Sequence, residues 1–77
     1  MKYILNAEFM DTKENAHEYL KRQLDLPEYY GKNLDALHDC LSEWNDVQIE
    51  ILNMPEDKSS YVWKVLKVMK RAKMLVE

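Results

Sequence analysis

Hydrophobic residues along the chain follow two different spacings, which predict short strands and longer helices. Strands are predicted at about 2–6 and 47–52, where apolar positions such as Ile49 and Ile51 alternate with other residues. Helices are predicted at about 12–24, 34–44 and 60–73, where apolar residues recur every three or four positions. Residues 74–76 predict the start of a third strand at the end of the chain.

Several residues mark the ends of these elements. Asp11 and Glu14 have the spacing of a capping box for the first helix, and Pro27 ends that helix. Gly31 is the predicted left-handed residue of the following connection, and Asn33 is a favourable N-cap for the second helix. Because long crossovers separate the strands, the element order predicts a small parallel sheet with helices packed on it, in the α/β class.

Length and composition limit the classes of function. The chain has 77 residues, of which 47% are hydrophobic and 32% charged, so we expect one globular domain over residues 1–77. A single cysteine cannot form an internal disulfide, and no apolar stretch has the length of a membrane span or a signal peptide. We therefore expect a cytoplasmic protein that acts through its surface and has no cofactor.

Charge is distributed unevenly along the sequence. Residues 1–24 have no net charge, residues 25–57 have a net charge of −8, and residues 58–77 have a net charge of +5. The acidic block disfavours nucleic acid as a partner and favours a basic protein, although a solvated acidic face kept for solubility has the same composition. The basic segment either binds an anion or is the polar face of an ordinary helix.

The second helix is predicted to have an apolar side and an acidic side. The residues on the buried side are Leu34, Leu37, Cys40, Leu41 and Trp44. The residues of the polar stripe are Asp35, His38, Asp39 and Ser42, with Glu43 at its edge. Asp35 and Asp39 lie one turn apart and repel each other, which suggests that a partner recognises their charge.

The stretch LPEYYGKNLDAL at 26–37, followed by Asp39, Cys40, Leu41 and Trp44, resembles the barstar family, intracellular inhibitors of barnase-type secreted ribonucleases. The resemblance implies a three-stranded parallel sheet with three or four helices packed on it. It also implies that the acidic helix and its preceding loop plug the nuclease active site. It implies that Asp39 is the central anchor, that Asp35 adds charge-assisted bonds, and that Trp44 lies at the rim or supports the helix.

The full set of expected partner-binding residues is Tyr29, Tyr30, Gly31, Asn33, Leu34, Asp35, His38, Asp39, Ser42, Glu43 and Trp44. The expected partner is a basic, extracellular-type ribonuclease, and the chain would be an immunity protein of the bacterial toxin–antitoxin kind. Two tyrosines in sequence also permit a simpler interpretation, in which one packs in the core and the other only lies on the surface.

The sequence departs from the family pattern at two positions. His38 stands where the best-known member of the family has a tryptophan, and Arg71 stands where that member has a glutamate that touches the nuclease. We therefore expect that the target can differ from barnase. The closing strand is expected to be short, which leaves either three strands or two. An alternative function is therefore a non-inhibitory interaction module of the same fold that binds another basic protein.

The remaining candidate residues have simpler interpretations. Cys40 is expected in the core, and His17 on a solvated helix face. Trp63 either covers the edge of the core or marks a second contact surface. A metal site at His38 lacks further ligands, and no nucleophile or phosphate-loop motif is present, so we expect neither a metal nor an enzyme.

Overall fold

The computed structural model describes residues 2–44, 47–72 and 75–76. The elements, in chain order, are β1 (Lys2–Asn6), a 3-10 turn (Ala7–Phe9), α1 (Lys13–Gln23), α2 (Leu34–Leu41), β2 (Gln48–Leu52), α3 (Tyr61–Arg71) and β3 (Leu75–Val76). This order confirms the predicted α/β class. The last helix was predicted to end at Lys73 and the third strand to begin at Met74. Both residues lie outside the described residues, as does Glu77.

The sheet has three parallel strands in the order β1-β2-β3. Tyr3 pairs with Ile49 and Leu5 with Ile51 across β1 and β2. The predicted alternation of β2 is confirmed, because Ile49 and Ile51 are buried while their neighbours Gln48 and Leu52 are exposed. A one-residue shift in this register would move the apolar side chains to the other face, so the burial pattern fixes the pairing.

The helices enclose the core on the side of the sheet where Leu5, Ile49 and Ile51 lie. Each helix contributes its apolar stripe, and the fully buried members are Ala16, Leu20, Leu37, Leu41, Val62, Val65 and Met69. The charged positions of α3, Lys64, Lys67 and Lys70 among them, remain exposed as predicted. Within the described ranges, no helix has the length and hydrophobicity of a transmembrane segment.

Thr12, rather than Asp11, caps α1. The Thr12 hydroxyl accepts a hydrogen bond of 3.1 Å from the backbone N–H of Asn15, whereas Asp11 accepts one of 2.9 Å from the Asn15 side chain. At the other end, Asp25 has a φ of 52° and the N–H of Leu26 donates to the carbonyl of Lys21 at 3.0 Å. This Schellman motif ends α1 before Pro27 is reached.

The prediction of a left-handed Gly31 is wrong, because Lys32 has the positive φ, 55°. An ion pair between Lys32 and Glu18 of α1 holds Lys32 in place. Gly31 instead leaves room for a close approach: a Cβ atom there would lie 3.3 Å from Asn33 Nδ2, so that side chain would have to shift slightly, and 3.4 Å from the Ala36 Cβ. The tight connection therefore depends on two adjacent residues for two different reasons.

Candidate partner-binding site

The start of α2 is fixed by Asn33. Its side-chain oxygen accepts a 2.7 Å hydrogen bond from the backbone N–H of Ala36, and its side-chain nitrogen donates to the carbonyl of Gly31 at 3.2 Å. This confirms the predicted N-cap and joins the loop to the helix. The helix ends at Leu41, three residues earlier than predicted, so it has eight residues.

Asp35 and Asp39 are both exposed on α2, one turn apart. Among the described residues neither carboxylate has an ion-pair partner, although three ion pairs form elsewhere. Asp35 lies in the first turn, where the helix dipole favours an anion. The structure thus presents two carboxylates to solvent on one rigid element, with their charge available to a partner.

A groove of about 600 Å³ separates the acidic side of α2 from the basic side of α3. The α2 side chains that line it are Leu34, Asp35, His38 and Asp39. The side chains opposite are Lys58, Trp63, Lys64, Lys67, Val68 and Arg71. The two departures from the family pattern, His38 and Arg71, therefore lie in the same groove, which their separation in sequence did not indicate.

Trp63 is one of the side chains that line this groove. Its indole N–H donates a 3.0 Å hydrogen bond to the carbonyl of Pro55, and the Lys58 ammonium lies 3.7 Å from the centre of a Trp63 ring. The side chain also packs against the core while lining the groove. The interpretation that Trp63 covers the edge of the core is thus confirmed, whereas a second contact surface there stays a prediction. The cation–π contact ties the 53–60 loop to α3.

The two adjacent tyrosines have opposite environments. Tyr29 is 84% exposed, whereas Tyr30 is 5% exposed and packs in the core. The expectation that Tyr30 belongs to the partner-binding surface is therefore corrected: its ring fills the core beneath the loop, where a partner cannot reach it. Tyr29 remains available at the surface, so the structure agrees with one core tyrosine and one surface tyrosine.

Tyr30 is bound to His17, the residue expected on a solvated face. His17 is only 1% exposed, with Nδ1 2.5 Å from the Tyr30 hydroxyl and Nε2 2.6 Å from the Tyr61 hydroxyl. The expectation of a solvated His17 is wrong because the side chain lies beside Ala16 and one turn before Leu20, at the edge of the apolar stripe. That spacing was the signal in the sequence.

Burial sets the protonation state of this triad. Desolvation, with a smaller effect from Lys13, lowers the pKa of His17. Desolvation is also the main cause that raises the pKa of the Tyr30 and Tyr61 hydroxyls. A neutral imidazole has one N–H and one acceptor nitrogen, so one tyrosine donates to His17 and the other accepts from it.

The last residues of the predicted site differ from one another in exposure and in their contacts. Ser42 and Glu43 are exposed, and the Ser42 hydroxyl donates to the carbonyl of Asp39 at 3.0 Å. Trp44 is half-buried, with its ring centre 5.7 Å from that of Tyr3, so it packs the segment after α2 against β1. Cys40 is a half-buried free thiol whose pKa is raised by burial and by the charges of Glu43 and Asp39.

Comparison with known proteins agrees with this architecture. A family model described as "Barstar (barnase inhibitor)" matches residues 1–74. The Bacillus subtilis (strain 168) protein named "Putative ribonuclease inhibitor YrdF" is 43% identical over 51 residues, which make up 66% of this chain and 56% of that protein. The chain therefore spans little more than half of that relative. On the match over residues 1–74, the chain belongs to the barstar family.

Proposed function

We propose that the chain inhibits a basic ribonuclease by placing the acidic face of α2 in the cationic active site of the enzyme. The observation that carries this proposal is the exposed pair Asp35 and Asp39, which have no ion-pair partner among the described residues. Membership of the barstar family, and the name of the Bacillus subtilis relative, support an inhibitor rather than an enzyme.

The mechanism is occlusion by mimicry of RNA. A ribonuclease active site binds phosphates with basic side chains, so a carboxylate held at the same place makes charge-assisted hydrogen bonds with them. Asp39 takes the central position, and Asp35 binds a neighbouring basic side chain of the nuclease. A helix holds these anions more rigidly than a loop would, which lowers the entropy lost on binding.

The loop before α2 forms the edge of the contact surface. Tyr29 is exposed and supplies a large amphipathic side chain, while Gly31 and Asn33 set the path of the backbone into the helix. His38 takes part because it lines the same groove as the two carboxylates. The inhibitor itself supplies no chemistry, because covering the active site is sufficient to exclude RNA.

The biological role that accompanies this activity is immunity. The chain, acting as a single domain in the cytoplasm, would neutralise a nuclease that the same cell exports. A basic partner agrees with the net charge of −8 over residues 25–57, because opposite charges accelerate encounter of the two proteins.

Titration of RNA cleavage tests the proposal. Barnase and the small basic ribonucleases secreted by the organism that encodes the chain are each mixed with increasing amounts of it. We expect loss of cleavage at a one-to-one ratio for at least one enzyme. Asp39→Asn should relieve the inhibition, whereas Glu8→Gln, which removes one exposed negative charge outside the α2 face, should not.

The same assay distinguishes the alternative function from ribonuclease inhibition. If every enzyme in the panel still cleaves RNA at a large excess of the chain, the inhibitor proposal is contradicted. If the chain then binds a basic protein other than a nuclease, again dependent on Asp39, it is a non-inhibitory interaction module of the same fold.

A further inference from the structure

The α2–α3 groove has walls of opposite charge that form no ion pair with each other in the described part of the chain. Asp35 and Asp39 line one wall, and Lys64, Lys67 and Arg71 line the other. In the part of the chain that the structure describes, none of these five side chains forms an ion pair within 4.0 Å. The two helices therefore hold both sets of charges apart and open to a partner.

The stability of α3 does not explain its row of bases. Lys64, Lys67 and Arg71, here called the basic strip, lie three and four residues apart, where like charges repel on a helix surface. The span Tyr61–Arg71 contains no acidic residue that would relieve this repulsion. Arg71 lies in the last turn, where the helix dipole favours a cation, but Lys64 and Lys67 lie outside that turn. The spacing of the basic strip is thus weakly unfavourable within the helix, and carboxylates of a partner would relieve the repulsion.

Apolar side chains also line the groove. Leu34 and Val68 line it together with the charged residues, and the Trp63 indole is held by its hydrogen bond to Pro55. A partner surface that enters the groove can therefore bury apolar area while its charged groups meet the walls. The shape is formed before binding, which reduces the entropy lost when a partner docks.

We propose that the basic strip is the second half of the nuclease-binding surface and contacts carboxylates that border the cationic active site of the enzyme. This inference rests on the proposed inhibitor function. Because Asp39 and Arg71 line one groove, a protein docked on α2 also brings its neighbouring surface to α3. A uniformly basic partner surface would be repelled there, so the basic strip selects nucleases with an acidic border.

Free RNA is the less favoured occupant of this groove. A phosphate chain bound along Lys64, Lys67 and Arg71 would lie opposite Asp35 and Asp39, which repel it. A folded protein can present cationic and anionic groups side by side, as these two walls require. The observed charge pattern therefore favours a protein partner with a divided surface.

Charge reversal within α3 tests the inference, with the ribonuclease that the titration identifies as the probe. Lys67→Glu and Arg71→Glu should each raise the Kd by about tenfold, since attraction is replaced by repulsion. Lys70→Glu is the matched control: it makes the same change in net charge on an exposed residue of the same helix that does not line the groove. We expect it to change the Kd by less than about twofold.

A double-mutant cycle then locates the acidic border. Replacing the contacting nuclease carboxylate by lysine should restore binding to Lys67→Glu or Arg71→Glu, but not to Lys70→Glu. Circular dichroism and thermal unfolding confirm that every variant is folded. Rescue at one nuclease position identifies the pair directly.

The outcomes distinguish this inference from the inhibitor proposal. If Asp39→Asn abolishes inhibition while the Lys67 and Arg71 reversals behave like Lys70→Glu, the basic strip is not part of the interface and only this inference fails. It fails equally if the reversals change self-association in sedimentation, or RNA binding, without affecting the Kd for the nuclease. If no ribonuclease is inhibited, both the inhibitor proposal and the inference about the basic strip are contradicted.

Discussion

The Tyr30 hydroxyl lies 2.5 Å from Nδ1 of His17, and this contact joins the loop that leads into α2 to the buried side of α1. The other ring nitrogen of His17 meets Tyr61 at the start of α3. One histidine therefore links α1, the loop and α3. The exposed Tyr29 is thus adjacent in sequence to a residue that a buried polar contact holds in the core.

Removing the Tyr30 hydroxyl should destabilise the fold. Tyr30→Phe leaves a buried His17 nitrogen without its hydrogen-bond partner, and such a loss costs about 1–3 kcal/mol. Urea unfolding followed by circular dichroism measures the change. Tyr29→Phe is the matched control, since its side chain is 84% exposed, and it should alter the free energy of unfolding by less than about 0.5 kcal/mol. Equal effects of the two substitutions would contradict a structural role for the contact.

The lowered pKa of His17 makes stability depend on pH. The unfolded chain takes up a proton on this histidine near its ordinary value of 6.5, whereas the folded chain does so only at lower pH. Between these two pKa values the unfolded state binds more protons, so the free energy of unfolding falls as the pH decreases below about 6.5. Above that value the histidine makes no pH-dependent contribution.

Unfolding in urea at a series of pH values between 5 and 8 checks this expectation, with ~0.5-unit steps that resolve one titrating group. His17→Gln keeps a polar side chain but removes the titration, so its stability should change less over pH 6.5 to 5.5 than that of the parent chain. A parent and a variant with the same slope in this window would show that another group is responsible.

The sheet and α2 were predictable because their signals are local. The alternation of Ile49 and Ile51 needs only neighbouring residues, and Asn33 caps a helix whose first turn follows it directly. The left-handed turn was assigned one residue too early because glycine is the most permissive residue, whereas the positive φ falls at Lys32, whose ammonium pairs with Glu18. A bond between residues 14 positions apart is not visible in local spacing.

Contacts between residues that lie far apart in the sequence could not be predicted for the same reason. His17 and Tyr61 are separated by 44 positions, and Asp39 and Arg71 share a groove only after α2 and α3 have packed. Sequence reasoning identified the acidic face of α2 and the basic face of α3 separately. It did not place them opposite each other, because that depends on the path of the chain through β2.

Loss of the α2 cap should weaken both the helix and the proposed inhibition. Asn33→Ala removes the acceptor for the Ala36 N–H, at a cost of about 1 kcal/mol. Asn33→Ser keeps a capping oxygen and should retain most of the stability. If the two variants unfold at the same denaturant concentration, the cap does not contribute as the 2.7 Å contact indicates.

Cys40 should react slowly with thiol reagents. Burial, together with the charges of Glu43 and Asp39, raises the pKa of its thiol and so reduces the thiolate that reacts. Its labelling rate by a disulfide reagent at pH 8 should be well below that of the same chain unfolded in urea. Asp39→Asn removes one of the two charges and should raise the rate in the folded chain. A native rate equal to the unfolded rate would contradict the raised pKa.

Association with the nuclease should slow as salt is added. The encounter that we propose depends on attraction between α2 carboxylates and a cationic active site, and an increase from about 0.1 M to 1 M salt shortens the Debye length from about 10 Å to about 3 Å. The association rate constant should fall by about tenfold or more over this range, with a smaller change in dissociation. Stopped-flow mixing measures both rates. Asp35→Asn combined with Asp39→Asn should flatten the salt dependence, because these two exposed carboxylates have no ion-pair partner among the described residues. A rate that is independent of salt in the parent chain would remove electrostatic attraction from the mechanism.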